Sequence, residues 1–232
     1  MNTFTYNSIP SSTYKIFIEH RPVQTFPQRM IESISIPGRS GNLLYDTGAY
    51  SNVTVTYQAA YRDDGNVRPN AIDIATWLYQ TDYCELTDTY NPLYYRKAIY
   101  VSPMSVADVL NVAGRVNFTF DCKPQRYLIS GKTALSPAKG SSISNAYEDA
   151  LPVISLTGNG TLTVGSSSVV ISGNTGTLTI DSERQTAEVG GNNANNLITL
   201  TGGFPVLKHG NTTITWNGTI GSVSVTPNWW TL

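Results

Sequence analysis

The strongest constraint on the fold is a period of two. In Val53-Thr-Val-Thr-Tyr-Gln-Ala-Ala-Tyr61, the residues Val53, Val55, Tyr57, Ala59 and Tyr61 fall on one side, with Thr54, Thr56 and Gln58 on the other. Successive side chains of an extended chain point to opposite faces, so this run is a strand with one buried and one solvated face. Gly114-Arg-Val-Asn-Phe-Thr-Phe-Asp-Cys122 repeats the pattern through Val116, Phe118, Phe120 and Cys122. A helix would scatter these residues around its axis. Between the two strands, Ile74, Trp77 and Leu78 stand at i, i+3 and i+4, which predicts one amphipathic helix over 69–80 with Asn70 as its cap.

Composition changes near residue 130. Of 31 charged residues 22 lie in 1–130, whereas fourteen of the 19 glycines lie beyond it. The stretch 130–144 is rich in Ser, Gly, Ala and Lys and reads as a linker. The expected organisation is therefore a domain over 1–130, a linker over 131–145 and a second domain over 146–232. Short strands are predicted in the second part at 161–164, 168–171, 177–180, 197–201, 213–216 and 223–226, each set off by glycine turns. That spacing is the signature of a sandwich. The similar segments 157–164 and 172–180 are two copies only, which is convergent hairpin chemistry rather than a solenoid repeat.

Charged residues make up 13% of the chain and the net charge is -1. No basic field exists to displace counterions from a phosphate backbone, so specific nucleic-acid binding is not expected. No apolar run approaches the roughly 20 residues that cross a bilayer, so membrane insertion is not expected either. Residues 1–10 carry no Lys or Arg ahead of an apolar run, so no secretory signal is read and synthesis in a cytoplasm is expected. Cys84 and Cys122 lack CxxC spacing and read as free thiols.

Few residues are patterned for catalytic chemistry. His20 and His209 are the only histidines, and neither lies near a GxSxG elbow, so no serine nucleophile is activated. Neither HExxH nor a Cys/His cluster is present. Gly131-Lys132-Thr133 resembles the end of a P-loop, but the glycine required earlier is replaced by Arg126. Asp63-Asp64-Gly65-Asn66 lacks the further ligands of a calcium loop and reads as a turn. Asp181 and Glu183 would be the pair for glycosidase acid/base work, although neighbouring carboxylates in a turn are ordinarily solvated. Trp216 is in phase with Ile214 and belongs to a core, whereas adjacent Trp229 and Trp230 would face opposite sides if extended, leaving one for a glycan or a partner.

The most specific stretch is Glu32-Ser-Ile-Ser-Ile-Pro-Gly-Arg-Ser-Gly-Asn-Leu-Leu-Tyr-Asp-Thr-Gly-Ala-Tyr50. It resembles the signature of phage distal tail proteins, centred on Ile36-Pro37-Gly38-Arg39-Ser40-Gly41. Pro37-Gly38 ends a strand in a turn, Gly41 permits close backbone approach, and Arg39 offers a bidentate donor to a neighbouring subunit or loop. Residues 4–18, Trp77-Leu78 followed by 88–99, and Val116-Asn-Phe-Thr-Phe-Asp-Cys-Lys-Pro124 resemble the same family in the same order. In the second part the resemblance runs through Ala150-Leu-Pro-Val-Ile154, Ile180-Asp-Ser-Glu183, Gly203-Phe-Pro-Val-Leu207 and Gly210-Asn211.

The resemblance implies a mainly β protein: an N-terminal β-sandwich-like belt domain with one α-helix, followed by a C-terminal galectin-like β-sandwich. It further implies a structural, non-enzymatic role with no cofactor. Six copies would form a ring at the end of a long non-contractile siphophage tail, at the tip of the virion, after synthesis in the bacterial host cytoplasm. The implied partners are other copies of the chain, the tail tube protein, a tail-associated hub or lysin protein and a receptor-binding protein, and DNA would pass through the lumen. Pro37, Gly38, Arg39 and Gly41 are then the candidate interface residues. The alternative is a carbohydrate-binding module using Trp229 and Trp230 on host-wall glycans, and a glycosidase using Asp181 and Glu183 is a third class.

Overall fold

The computed structural model describes the backbone of residues 1–62, 67–103, 107–109 and 113–232 and the side chains of 1–61, 72–103 and 114–232. The chain divides into two compact units, Met1–Arg126 with Leu232 and Tyr127–Thr231. Both are built of antiparallel strands, and the fold is mainly β.

In the first unit the two alternating runs become neighbours. Val53–Arg62 pairs with Ala113–Cys122 along its whole length, so that Val55 faces Phe120, Tyr57 faces Phe118 and Ala59 faces Val116. Cross-strand pairs of aromatic and branched residues stabilise such a ladder. The sheet runs in the order Ile9–Pro10, Phe4–Tyr6, Cys84–Asp88, Tyr94–Tyr100, Ala113–Cys122, Val53–Arg62 and Ile16–Ile18, with Ala107–Val109 pairing the start of Ala113–Cys122. Its apolar face is covered by the helix Val67–Leu78, which contributes Ile74, Trp77 and Leu78 to the core. That is the helix expected at 69–80, displaced two residues toward the N-terminus; the side chain of Asn70 lies outside the described residues.

Aromatic packing fills this core. Phe4 stacks on Tyr57 at 4.9 Å and on Trp77 at 5.7 Å, and also meets Phe118 and Phe120. The Trp77 indole N–H donates to the Tyr6 carbonyl at 2.8 Å, which gives the buried polar end of the ring a partner. Ser11, fully buried, accepts from the Phe4 N–H and donates to the Ile16 carbonyl, tying the first strand to the third.

The second unit is a β-sandwich of two five-stranded sheets. One runs Ser142–Asn145, Gly210–Trp216, Gly160–Val164, Ser167–Ile171 and Ile198–Thr201; the other runs Asn192–Asn193, Thr186–Val189, Thr177–Asp181, Val153–Thr157 and Val223–Thr226. Leu162, Val169 and Ile214 from the first sheet share a core with Ile154, Leu178 and Val225 from the second. All six expected strands occur here, with ends displaced by at most one residue except Gly210–Trp216, which begins three residues early.

The expected linker over 131–145 is corrected by the structure. Ile129–Lys132 forms a 3-10 turn, Leu135 makes a β-bridge with Val225, and Ser142–Asn145 is a strand paired with Gly210–Trp216. Ile143 is buried in the second core. A few apolar anchors, spaced to reach the sheet, outweigh a composition that otherwise looks flexible.

Candidate functional site

The stretch singled out in the sequence forms an element of its own. Arg29–Ile34 and Leu43–Tyr50 make a two-stranded ribbon, pairing Ile34 with Leu43, Ser33 with Leu44, Glu32 with Tyr45 and Ile31 with Asp46, with an irregularity between Arg29 and Ile31. Arg29 and Asp46 form an ion pair at 2.6 Å, Thr47 donates to the Met30 carbonyl at 2.8 Å, and Asn42 donates to Ser33 Oγ at 2.8 Å. These bonds hold the register. They do not bury anything.

At the tip, the Arg39 N–H donates to the Ile36 carbonyl at 3.2 Å, closing a turn with Pro37 and Gly38 at its centre. Gly38 has φ +79° and Gly41 φ +82°, values that a residue with a Cβ rarely adopts. Proline at the first central position and a left-handed glycine at the second are the signature of a type II turn. Nothing lies within 4 Å of where a Cβ on Gly41 would be, so within the chain this glycine serves its dihedral and not the close approach expected of it. The Arg39 side chain forms no ion pair or hydrogen bond among the described residues. It is displayed rather than used to brace its own turn.

The ribbon is exposed on both faces. Met30, Ile31, Ile34, Ile36, Leu43, Leu44 and Tyr45 are all exposed, and Leu44 reaches 67%. A two-stranded sheet alone is marginally stable in water, and a cluster of exposed apolar side chains marks a surface made for contact.

The other candidates are accounted for within the fold. Asp181 Oδ1 accepts from the Glu183 and Arg184 N–H groups at 2.9 and 3.0 Å, so this carboxylate closes a turn. Gly131 sits where a Cβ would come within 2.5 Å of the Trp229 nitrogen; close packing explains the glycine of the P-loop-like triplet. His209 Nδ1 lies 2.9 Å from the Tyr147 carbonyl oxygen. Trp216, Trp229 and Trp230 are all half-buried against the second core, and the Trp230 indole N–H donates to the Asp149 carbonyl at 3.0 Å. Neither of the adjacent tryptophans stands free as a stacking platform. Among the described residues no group of three or more His, Cys, Asp or Glu side chains could hold a metal ion. Asp63-Asp64-Gly65-Asn66 lies outside the described residues. Both cysteines are free thiols, and burial pushes that of Cys122 up to about 12.

No protein-family model matches the chain, and no curated protein does. Among solved structures, the chain is similar to the Dit protein of phage SPP1, with a TM-score of 0.72 and 14% identity over 97% of this chain and 98% of that one. The chain has a Dit-like fold. The SPP1 protein is described as a paradigm of the hub adsorption apparatus in phages that infect Gram-positive bacteria. The match extends over nearly the whole chain and therefore across both strand-rich units.

Proposed function

We propose that the chain is a structural, non-enzymatic subunit of a phage tail tip: a distal tail protein whose copies form a ring, six to a turn, at the end of a long non-contractile tail. The observation that carries this reading is the exposed apolar ribbon, which has no cover among the described residues. A ring of identical subunits would cover it, and would also pair strand edges that otherwise invite aggregation. The Dit-like fold over 97% of the chain supports the same role.

In this reading residues 1–130 form the belt, with Pro37, Gly38, Arg39 and Gly41 shaping the contact between copies. The C-terminal sandwich, galectin-like in the family resembled, faces outward to baseplate parts. The tail tube protein, a tail-associated hub or lysin protein and a receptor-binding protein are the partners, and DNA passes through a lumen lined by a nearly neutral chain. A glycan-binding role has less behind it, because Trp229 and Trp230 pack against their own core.

Native mass spectrometry with negative-stain electron microscopy of the purified chain tests the proposal. Closed rings of six are expected. A protein that remains monomeric at every concentration, alone and with the tail tube protein, overturns it.

A further inference from the structure

Within the first unit, residues 21–25, 86–88 and part of Tyr94–Tyr100 enclose a concavity of about 50 Å³. Three arginines, Arg21, Arg96 and Arg126, are among the residues that line it. Arg126 lies over the Tyr94 ring at 4.5 Å, a contact that steadies the cation without consuming an N–H donor. Arg21 stands 6.0 Å from the Tyr90 ring. Among the described residues Arg96 makes one hydrogen bond, from Nη1 to the Pro124 carbonyl, and at 3.5 Å it is at the limit of what counts as one. Among the described residues none of the three forms an ion pair.

The carboxylate in the lining, Asp88, attracts Arg96 but forms no ion pair with it among the described residues. Asp88 Oδ1 accepts from the Tyr90 and Asn91 N–H groups, both at 2.9 Å, and Oδ2 accepts from the Tyr57 hydroxyl at 3.0 Å. Its oxygens are occupied by neutral donors. Burial lowers the Arg96 pKa from its ordinary value, Arg126 adding to the shift while Cys122, Tyr57 and Asp88 oppose it. A half-buried guanidinium with unused donors, beside a second cation, is costly unless a counter-charge enters from outside. The concavity has room for one: a water needs roughly 10–15 Å³ of such space, so a carboxylate or phosphate head fits and a sugar ring does not.

We propose that this concavity is an oxyanion site that takes one carboxylate or phosphate group, with Arg96 and Arg126 as its donors and Arg21 as a third positive charge. The site is independent of ring formation. Guanidinium groups suit it because their paired N–H groups match the geometry of both oxyanions.

Titration of the intact chain with sodium acetate and with inorganic phosphate, at constant ionic strength in chloride, tests the site by calorimetry and by the arginine side-chain N–H signals. Saturable binding of at least one ion is expected, and the ion with the lower Kd identifies the source as carboxylate or phosphoryl. Arg126→Gln and Arg96→Gln should each weaken binding about tenfold or more, the loss expected for a charged hydrogen bond. Lys139→Gln, an exposed change in the other unit, should leave it unaltered. Should Arg96→Gln fail to fold, as judged by circular dichroism, Arg126→Gln and Arg21→Gln carry the comparison. A non-saturating response to both ions, or equal loss on Lys139→Gln, overturns the proposal.

Discussion

Gly158 shows how tightly single residues are specified in the second unit. Its φ is +88°, and a Cβ there would stand 2.2 Å from the Thr219 carbonyl oxygen. Both the dihedral and the contact oppose any side chain, so Gly158→Ala should cost about 1–3 kcal/mol in urea unfolding, the range of an overpacked site. Asp149 is specified by charge. A hydrogen bond from Lys208, at 2.6 Å, is the main cause holding its carboxyl below the usual range. A depressed carboxylate pKa contributes stability above the unfolded value, about 3.9, and loses it as the pH falls through the folded one. Lys208→Met should therefore lower stability at neutral pH and leave it nearly unchanged below the folded value, flattening the acid side of the profile measured by urea unfolding across pH. The pairing of Asp149 with Lys208 could not be read in the sequence, because the two lie 59 positions apart and neither neighbours a motif. The free thiols could, from spacing alone.

Elements were legible where one face meets water and the other meets a core. Val53–Arg62 and Ala113–Cys122 announce themselves because burial imposes a period of two on their side chains. The ribbon of Arg29–Ile34 and Leu43–Tyr50 has no buried face among the described residues, and so no such period; the family resemblance of 32–50 and the turn chemistry of Pro37 and Gly38 pointed to it. The arginine-lined concavity was invisible for a different reason, since Arg21, Arg96 and Arg126 converge from distant segments. The helix was found through Ile74, Trp77 and Leu78, yet what fastens it was not. Trp77→Phe keeps a six-membered aromatic ring and removes the N–H that donates to the Tyr6 carbonyl. Losing this buried hydrogen bond should cost about 0.5–1.5 kcal/mol, measured by chemical denaturation of the full chain.

For the whole molecule, the decisive variable is what covers the ribbon. Leu44 is exposed and touches no core, so Leu44→Asp should leave thermal unfolding of the monomer within about 0.5 kcal/mol of the parent. The same change should abolish rings, read by light scattering, because it places a charge in the contact. An unfolding cost of the size seen for core residues would mean instead that the ribbon belongs to the monomer's own fold. The division into two units has a consequence in time. Every strand of the Val53–Arg62 sheet named above lies before residue 123, whereas the second sandwich needs Val223–Thr226 to complete its sheet beside Val153–Thr157. At about 5–20 residues per second, the hundred or so residues of the second unit take roughly 5–20 s to leave the ribosome. Throughout that interval the ribbon is already on display, so neighbouring nascent chains on one message are the first surfaces it can meet.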